Sequence, residues 1–152
     1  MTRYLFDRDV MSQLDQAEAN RHQNVRAWLK SVPDSALHVS AISVMEAWRG
    51  FAKVRKAAAD RPGALGECDA FEGAFERLMA TFEGRVLAVD VQVAKLWGQL
   101  RGRLDKNHWD LGVAATAIAH GMVIATRNTT DYAGRGARVV DPFHKRPTIT
   151  AP

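Results

Sequence analysis

Apolar residues recur along this chain in two rhythms. Short, largely apolar stretches at residues 3–7 (RYLFD), 37–40, 86–89, 122–125 and 137–140 have the length of strands, and 122–125 has the unbroken apolar character of a strand buried on both faces. Between these runs, apolar positions return at the spacing of amphipathic helices. That spacing predicts helices over 10–14, over 25–32 with Trp28 and Leu29, from Val44 through Phe51, over 64–82, and from Val93 through Leu104. An alanine-rich helix over 111–119 completes the set. Strands that alternate with helices predict an α/β fold: three layers, with a central parallel sheet of about five strands flanked by helices and joined by right-handed crossovers.

Polar punctuation supports these boundaries. Asp9, Ser40 or Ser43, Asp90 and Asp110 stand where helix N-caps are needed, because their short side chains accept a hydrogen bond from otherwise unpaired backbone amides. Pro33 ends the second helix, and Arg61-Pro62-Gly63 divides a helical hairpin. His120-Gly121 closes the alanine-rich helix, with the glycine taking the left-handed position. Residues 126–131 then leave the fourth strand as a polar loop, and Asp141-Pro142 ends regular structure. A single domain over 1–143 is expected, followed by a loose basic tail over 144–152.

Composition adds limits rather than identity. A chain of 152 residues, 47% hydrophobic and 25% charged, fits one globular domain. The single cysteine, Cys68, rules out an internal disulfide and lies between apolar helix positions, so it is expected to be buried. The five histidines, His22, His38, His108, His120 and His144, show no paired metal-ligand spacing. The N-terminus has no apolar signal core, and the longest near-apolar run, 113–125, is too short for a bilayer, which suggests a cytoplasmic protein with no membrane partner. A net charge of +4 leans only slightly toward a polyanionic partner.

The acids carry more information. In an open parallel sheet, ligands bind beyond the carboxyl ends of the strands. Asp7, Glu46 and Asp131 fall at that edge, and Asp110 opens a helix that can face it. Like charges crowded together raise one another's pKa, and a divalent cation relieves the conflict. Oxygen-only ligands suit Mg2+ or Mn2+, which act on phosphate esters. Taken singly, Asp110 and Asp131 read first as cap and turn residues and Glu46 as an exposed helix position, and it is their joint pattern that favours a metal cleft. Thr126 and Asn128 lie in the same loop as Asp131, where threonine hydroxyls serve either the carboxylates or the turn. Arg49 and Lys53 share a helix face with Glu46, Lys56 follows, and together they read as a phosphate-backbone track or as a solvated face. Trp28, Trp48, Trp97 and Trp109 read as core or dimer packing, with Trp109 beside Asp110 the one exception worth testing for base stacking.

Three blocks, YLFDRDVMSQL, SAISVMEAWRG and DLGVAATAIAHGMVIATRNTTDYAG, together resemble PIN-domain ribonucleases, particularly the VapC toxins of toxin-antitoxin pairs and the plasmid-stability proteins. The resemblance spans most of the chain and implies a five-stranded parallel sheet and an endoribonuclease that uses Mg2+ or Mn2+ to activate water. It further implies a homodimer, inhibition by a small antitoxin, and contact with DNA only through that antitoxin. By the same resemblance, Asp7, Glu46, Asp110 and Asp131 are the metal-binding acids. Asp131 would hold a second ion or order water, and Asn128 stands where relatives often carry another acid. Arg8-Asp9 departs from the small hydroxyl residue and asparagine of many relatives; Asp9 keeps the size of asparagine while adding charge, and Arg8 is placed to pair with a site carboxylate or an RNA phosphate. Residues 105–109 form a compact approach to Asp110 without the glycine and proline of relatives. Two alternatives remain open: a PIN-like binding module with impaired catalysis, acting through a partner protein, and a haloacid-dehalogenase-like phosphatase, suggested faintly by Asp7-Arg8-Asp9.

Overall fold

The computed structural model describes residues 1–104 and 108–152. Strand β1 (Tyr4–Phe6) lies inside the sheet, between β2 (Leu37–Ser40) and β4 (Val123–Ala125). Outside these come β3 (Val86–Leu87), β5 (Arg138–Val140) and β6 (Ile149–Thr150), in the order β3-β2-β1-β4-β5-β6. The first five strands are mutually parallel, and β6 runs antiparallel to β5. The sheet therefore has six strands rather than five, and the tail expected to be loose supplies the sixth. Val139 pairs with Thr150 and Val140 with Ile149, which satisfies backbone groups that the outer edge of β5 leaves open.

Two apolar layers sandwich the sheet, because successive residues of a strand point to opposite faces. Leu5 and Ile124 enter a core with Val93 and Leu100 of α5 (Val91–Arg103) and Leu111 and Val113 of α6 (His108–His120). Phe6, Val123 and Ala125 enter the opposite core. There they meet Val10 and Met11 of α1 (Arg8–Leu14), Val25 and Trp28 of α2 (Gln23–Ser31), and Phe75 of α4 (Ala64–Thr81). Cys68 of α4 is buried, as expected. Helix α3 (Ala41–Ala58) serves both layers, through Ile42 on one side and Ala47 on the other. With both faces covered, the carboxyl edge is where polar side chains emerge.

Several boundaries move for identifiable reasons. Of the two serines proposed to cap α3, Ser40 does so, accepting from the Ile42 amide at 3.1 Å. Asp90 caps α5 as expected, accepting from the Val93 amide at 2.9 Å. Strand β3 stops at Leu87, two residues early, and Val89 is exposed on the way to that cap. Asp9 does not cap α1, because Asp7 occupies the cap position and accepts from the Arg8 amide at 2.8 Å. Asp110 does not cap α6, which already begins at His108. Trp97 Nε1 donates to the His108 carbonyl at 2.8 Å and fixes this earlier start. Asp105, Lys106 and Asn107, the first part of the compact approach read from sequence, lie outside the described residues.

Helix α6 is buried along Leu111–Ala117, and its close approach to α5 and α3 depends on Gly112. A Cβ on that glycine would lie 2.9 Å from the Trp97 ring and would collide with the Ile42 side chain. The absence of a side chain lets the first turn of α6, with Asp110 in it, sit low against the sheet edge.

Candidate active site

Asp7 is the fixed point of the site. It follows β1 directly, and its amide donates to the Ala125 carbonyl at 3.1 Å, continuing the parallel pairing of β1 with β4. Its side chain is only 8% exposed. Oδ1 caps α1, while Oδ2 accepts from the Thr126 hydroxyl at 3.0 Å. Thr126 is wholly buried and also accepts from the Asn128 amide at 3.0 Å, so one hydroxyl ties the end of β1 to the loop after β4. Asn128 itself contributes the cap position of α7 (Thr129–Tyr132), without a side-chain hydrogen bond.

Asp9 lies behind this pair. Its Oδ2 accepts from the Arg127 amide at 2.7 Å, but Oδ1 is buried without a partner. Burial raises its pKa, the Arg127 amide opposes the rise, and the negative charge of Asp7 adds to it. The charge that aspartate adds at this position is thus partly uncompensated.

The other three acids arrive on helices. Burial raises the Glu46 carboxyl; Arg8 opposes this, Asp7 and Asp110 reinforce it, and Arg49 opposes it again. Asp110, in the first turn of α6, is pushed up to about 6 by burial and by Asp7, with Arg135 opposing and Asp131 adding to the rise. Asp131 lies in α7 rather than in a loop, and bears on Asp110 from there. The four acids therefore share one electrostatic neighbourhood, with Asp7 and Asp110 at its centre.

Arg8 makes no ion pair within 4.0 Å among the described residues, although it is the strongest positive influence on Glu46. Its guanidinium extends along α3, 3.9 Å from where a Cβ of Gly50 would stand. Arg49 and Lys53 are both exposed, and Arg49 opposes the rise at Glu46. Trp109 is 38% exposed and packs against the Trp97 ring with centroids 5.9 Å apart.

Two residues were not anticipated from sequence. Tyr132, 1% exposed, has a buried hydroxyl close to Asp7 that makes no hydrogen bond within 3.5 Å among the described residues. Burial, then the charges of Asp7 and Asp110, holds its pKa well above the usual range. Arg135 brings Nη1 to 3.9 Å from Asp110 Oδ2, too long for a hydrogen bond but close enough for strong attraction. Its side chain is 11% exposed. The available signal was the GRG triplet at 134–136, in which both glycines take positive φ, 72° and 79°. The turn they make allows a large side chain to fold back onto the site.

The donor set suits a hard divalent cation in kind. It is all oxygen, and burial, with the nearby charge of Asp7, makes the ionised form of Asp110 costly. Among the described residues, no three acidic, histidine or cysteine side chains cluster closely enough to encase an ion. Mg2+ accommodates such openness, since it typically takes one or two carboxylates and keeps several waters.

A mostly parallel α/β sheet with acids gathered at its carboxyl edge defines the class, and the chain belongs to the PIN domain family, whose model matches residues 4–132. This membership displaces the phosphatase reading of Asp7-Arg8-Asp9. Among individual proteins, the chain is similar to the VapC ribonuclease Y4jK of Sinorhizobium fredii, 29% identical over 145 residues, covering 91% of this chain and 96% of that protein. It is also similar to the toxin FitB of Neisseria gonorrhoeae, 28% identical over 145 residues, covering 92% and 98% respectively. The crystal structure of FitAcB from Neisseria gonorrhoeae aligns with a TM-score of 0.75 at 27% identity, over 93% of this chain and 99% of that one. No described helix is long and apolar enough to cross a membrane.

Proposed function

We propose that this protein is the toxin of a toxin-antitoxin pair, a divalent-metal-dependent endoribonuclease that works in the cytoplasm as a homodimer and is restrained by a small antitoxin. DNA is contacted only through that antitoxin. The supporting observation is the shared field of Asp7, Glu46 and Asp110 at the carboxyl edge of a PIN sheet. The likeness to a VapC ribonuclease and to the toxin FitB supports the substrate class and the biological setting.

In this reading, Asp7, Glu46 and Asp110 would hold Mg2+ or Mn2+, and Asp131, whose charge reaches Asp110, would hold a second ion or order water. Such an ion supplies a lowered pKa to water and neutralises charge on the phosphodiester. The chain's own part is orientation. Thr126 and the Arg8 amide fix both oxygens of Asp7, so this carboxylate presents a constant face. Asp9, tied to the Arg127 amide, keeps the loop after β4 against α1. Arg8 and Arg49, beside Glu46, offer positive charge to an RNA backbone entering from α3.

Expression of the wild-type chain is expected to arrest growth, and Asp7→Asn to relieve the arrest while remaining folded. Cleavage of RNA by the purified chain should require Mg2+ or Mn2+ and stop with a chelator, and sequencing of the cleaved ends would identify the target. Continued toxicity of a folded Asp7→Asn protein would falsify the catalytic reading. The openness of the acid cluster favours one second reading, an impaired PIN module acting through a partner. Calorimetry without measurable Mg2+ or Mn2+ binding would replace the first reading with that one.

A further inference from the structure

We propose that Arg135 takes the second cation position of the acid cluster, so that the site holds a single divalent ion, at its Asp7 end. The inference rests on the metal-dependent reading above and specifies its stoichiometry. Arg135 is a positioning residue here, acting on ion binding through Asp110.

The first support is geometric. Asp131 adds to the negative charge felt by Asp110, so a second ion held by this pair would draw on the Asp110 carboxylate. Arg135 approaches the same carboxylate, with Nη1 3.9 Å from Oδ2. A Mg2+ on that side would lie about 2 Å from the oxygen, leaving roughly the same distance to the guanidinium nitrogen. Two positive groups cannot share that space without strong repulsion.

The second support is how Arg135 is held. Its Nη1 is buried without a hydrogen-bond partner among the described residues, and its guanidinium carbon lies 5.8 Å from the centroid of the Tyr132 ring. Its amide donates to the Tyr132 carbonyl at 3.2 Å, between the two left-handed glycines. The backbone thus delivers a permanent charge to a place with little solvent, where Asp110 is its only ion-pair partner among the described residues. The third support lies at the other end of the cluster. There the buried Tyr132 hydroxyl stands beside Asp7 and makes no hydrogen bond within 3.5 Å among the described residues, so a donor is available at the Asp7 end.

The test is titration of Mn2+ into the metal-free full chain, read by calorimetry and by electron paramagnetic resonance, with folding checked by circular dichroism. Wild type is expected to bind one ion per chain, Arg135→Gln two, and Arg135→Lys one, since lysine keeps the charge. Two ions in wild type, or one in folded Arg135→Gln, overturn the proposal while leaving metal-dependent function standing. No ion in wild type overturns both. If Arg135→Gln does not fold, Asp131→Asn decides: affinity for the single ion should change by less than about threefold, and a loss of about tenfold or more overturns the proposal.

Discussion

Asp110 should make the metal-free protein less stable at neutral pH, and its removal should therefore stabilise the fold. Its carboxyl is raised from the ordinary 3.8 to about 6 by burial and the neighbouring charge of Asp7. Between these values the folded chain binds more protons than the unfolded one, so stability falls as pH rises through the window, and the full cost is present above it. A rise of this size corresponds to about 3 kcal/mol as a ceiling. The side chain retains 27% exposure, so relaxation and solvent reduce the effect to about 1–2 kcal/mol. For a chain of this length that is about 3–6 °C in Tm. Asparagine keeps the shape and removes the charge. Metal-free Asp110→Asn is expected to melt higher than wild type at about pH 8, with most of the difference gone by about pH 4.5. Added Mg2+ should narrow or reverse the gap, because it stabilises the wild-type carboxylates more. A variant that melts at or below wild type at the higher pH, in chelator, would show that Asp110 is not strained by its neighbours.

Other substitutions test the support around the site. Thr126→Val leaves a buried Asp7 oxygen and the Asn128 amide without their partner, and is expected to cost about 1–3 kcal/mol, with Thr126→Ser restoring much of it; denaturant unfolding measures both. Gly112→Ala forces a methyl group against Trp97 and Ile42 and should cost about 1–3 kcal/mol. Because the collision also lifts the first turn of α6, Mn2+ affinity should fall in a variant that still folds, and unchanged stability would refute the close approach.

Much of the fold was legible because β1, β2 and β4 lie between two apolar layers and leave long apolar signatures. Asp90 was readable as a cap because capping is local: its carboxylate reaches an amide three residues on. The misread starts of α1 and α6 were decided at longer range. The cap role passed from Asp9 to Asp7 where the chain leaves the sheet, and the loop after β4 took up Asp9 instead. The α6 start depends on a tryptophan from α5. The acids could be named from their order along the chain, whereas Arg135 and Tyr132 acquire meaning only when the turn after α7 folds back toward Asp110. Positive charge among the acids was foreseeable at Arg8, which stands next to one of them in sequence, and at Arg49, on the Glu46 face of its helix.

The short strand β6 has a consequence beyond completing the sheet. A parallel sheet normally ends in edges that another chain can extend by pairing its own backbone. Here both outer strands, β3 and β6, are two residues long, too short to guide a register. The Ile149–Thr150 strand thus offers an incoming backbone little to pair with and guards that edge of the sheet against strand exchange.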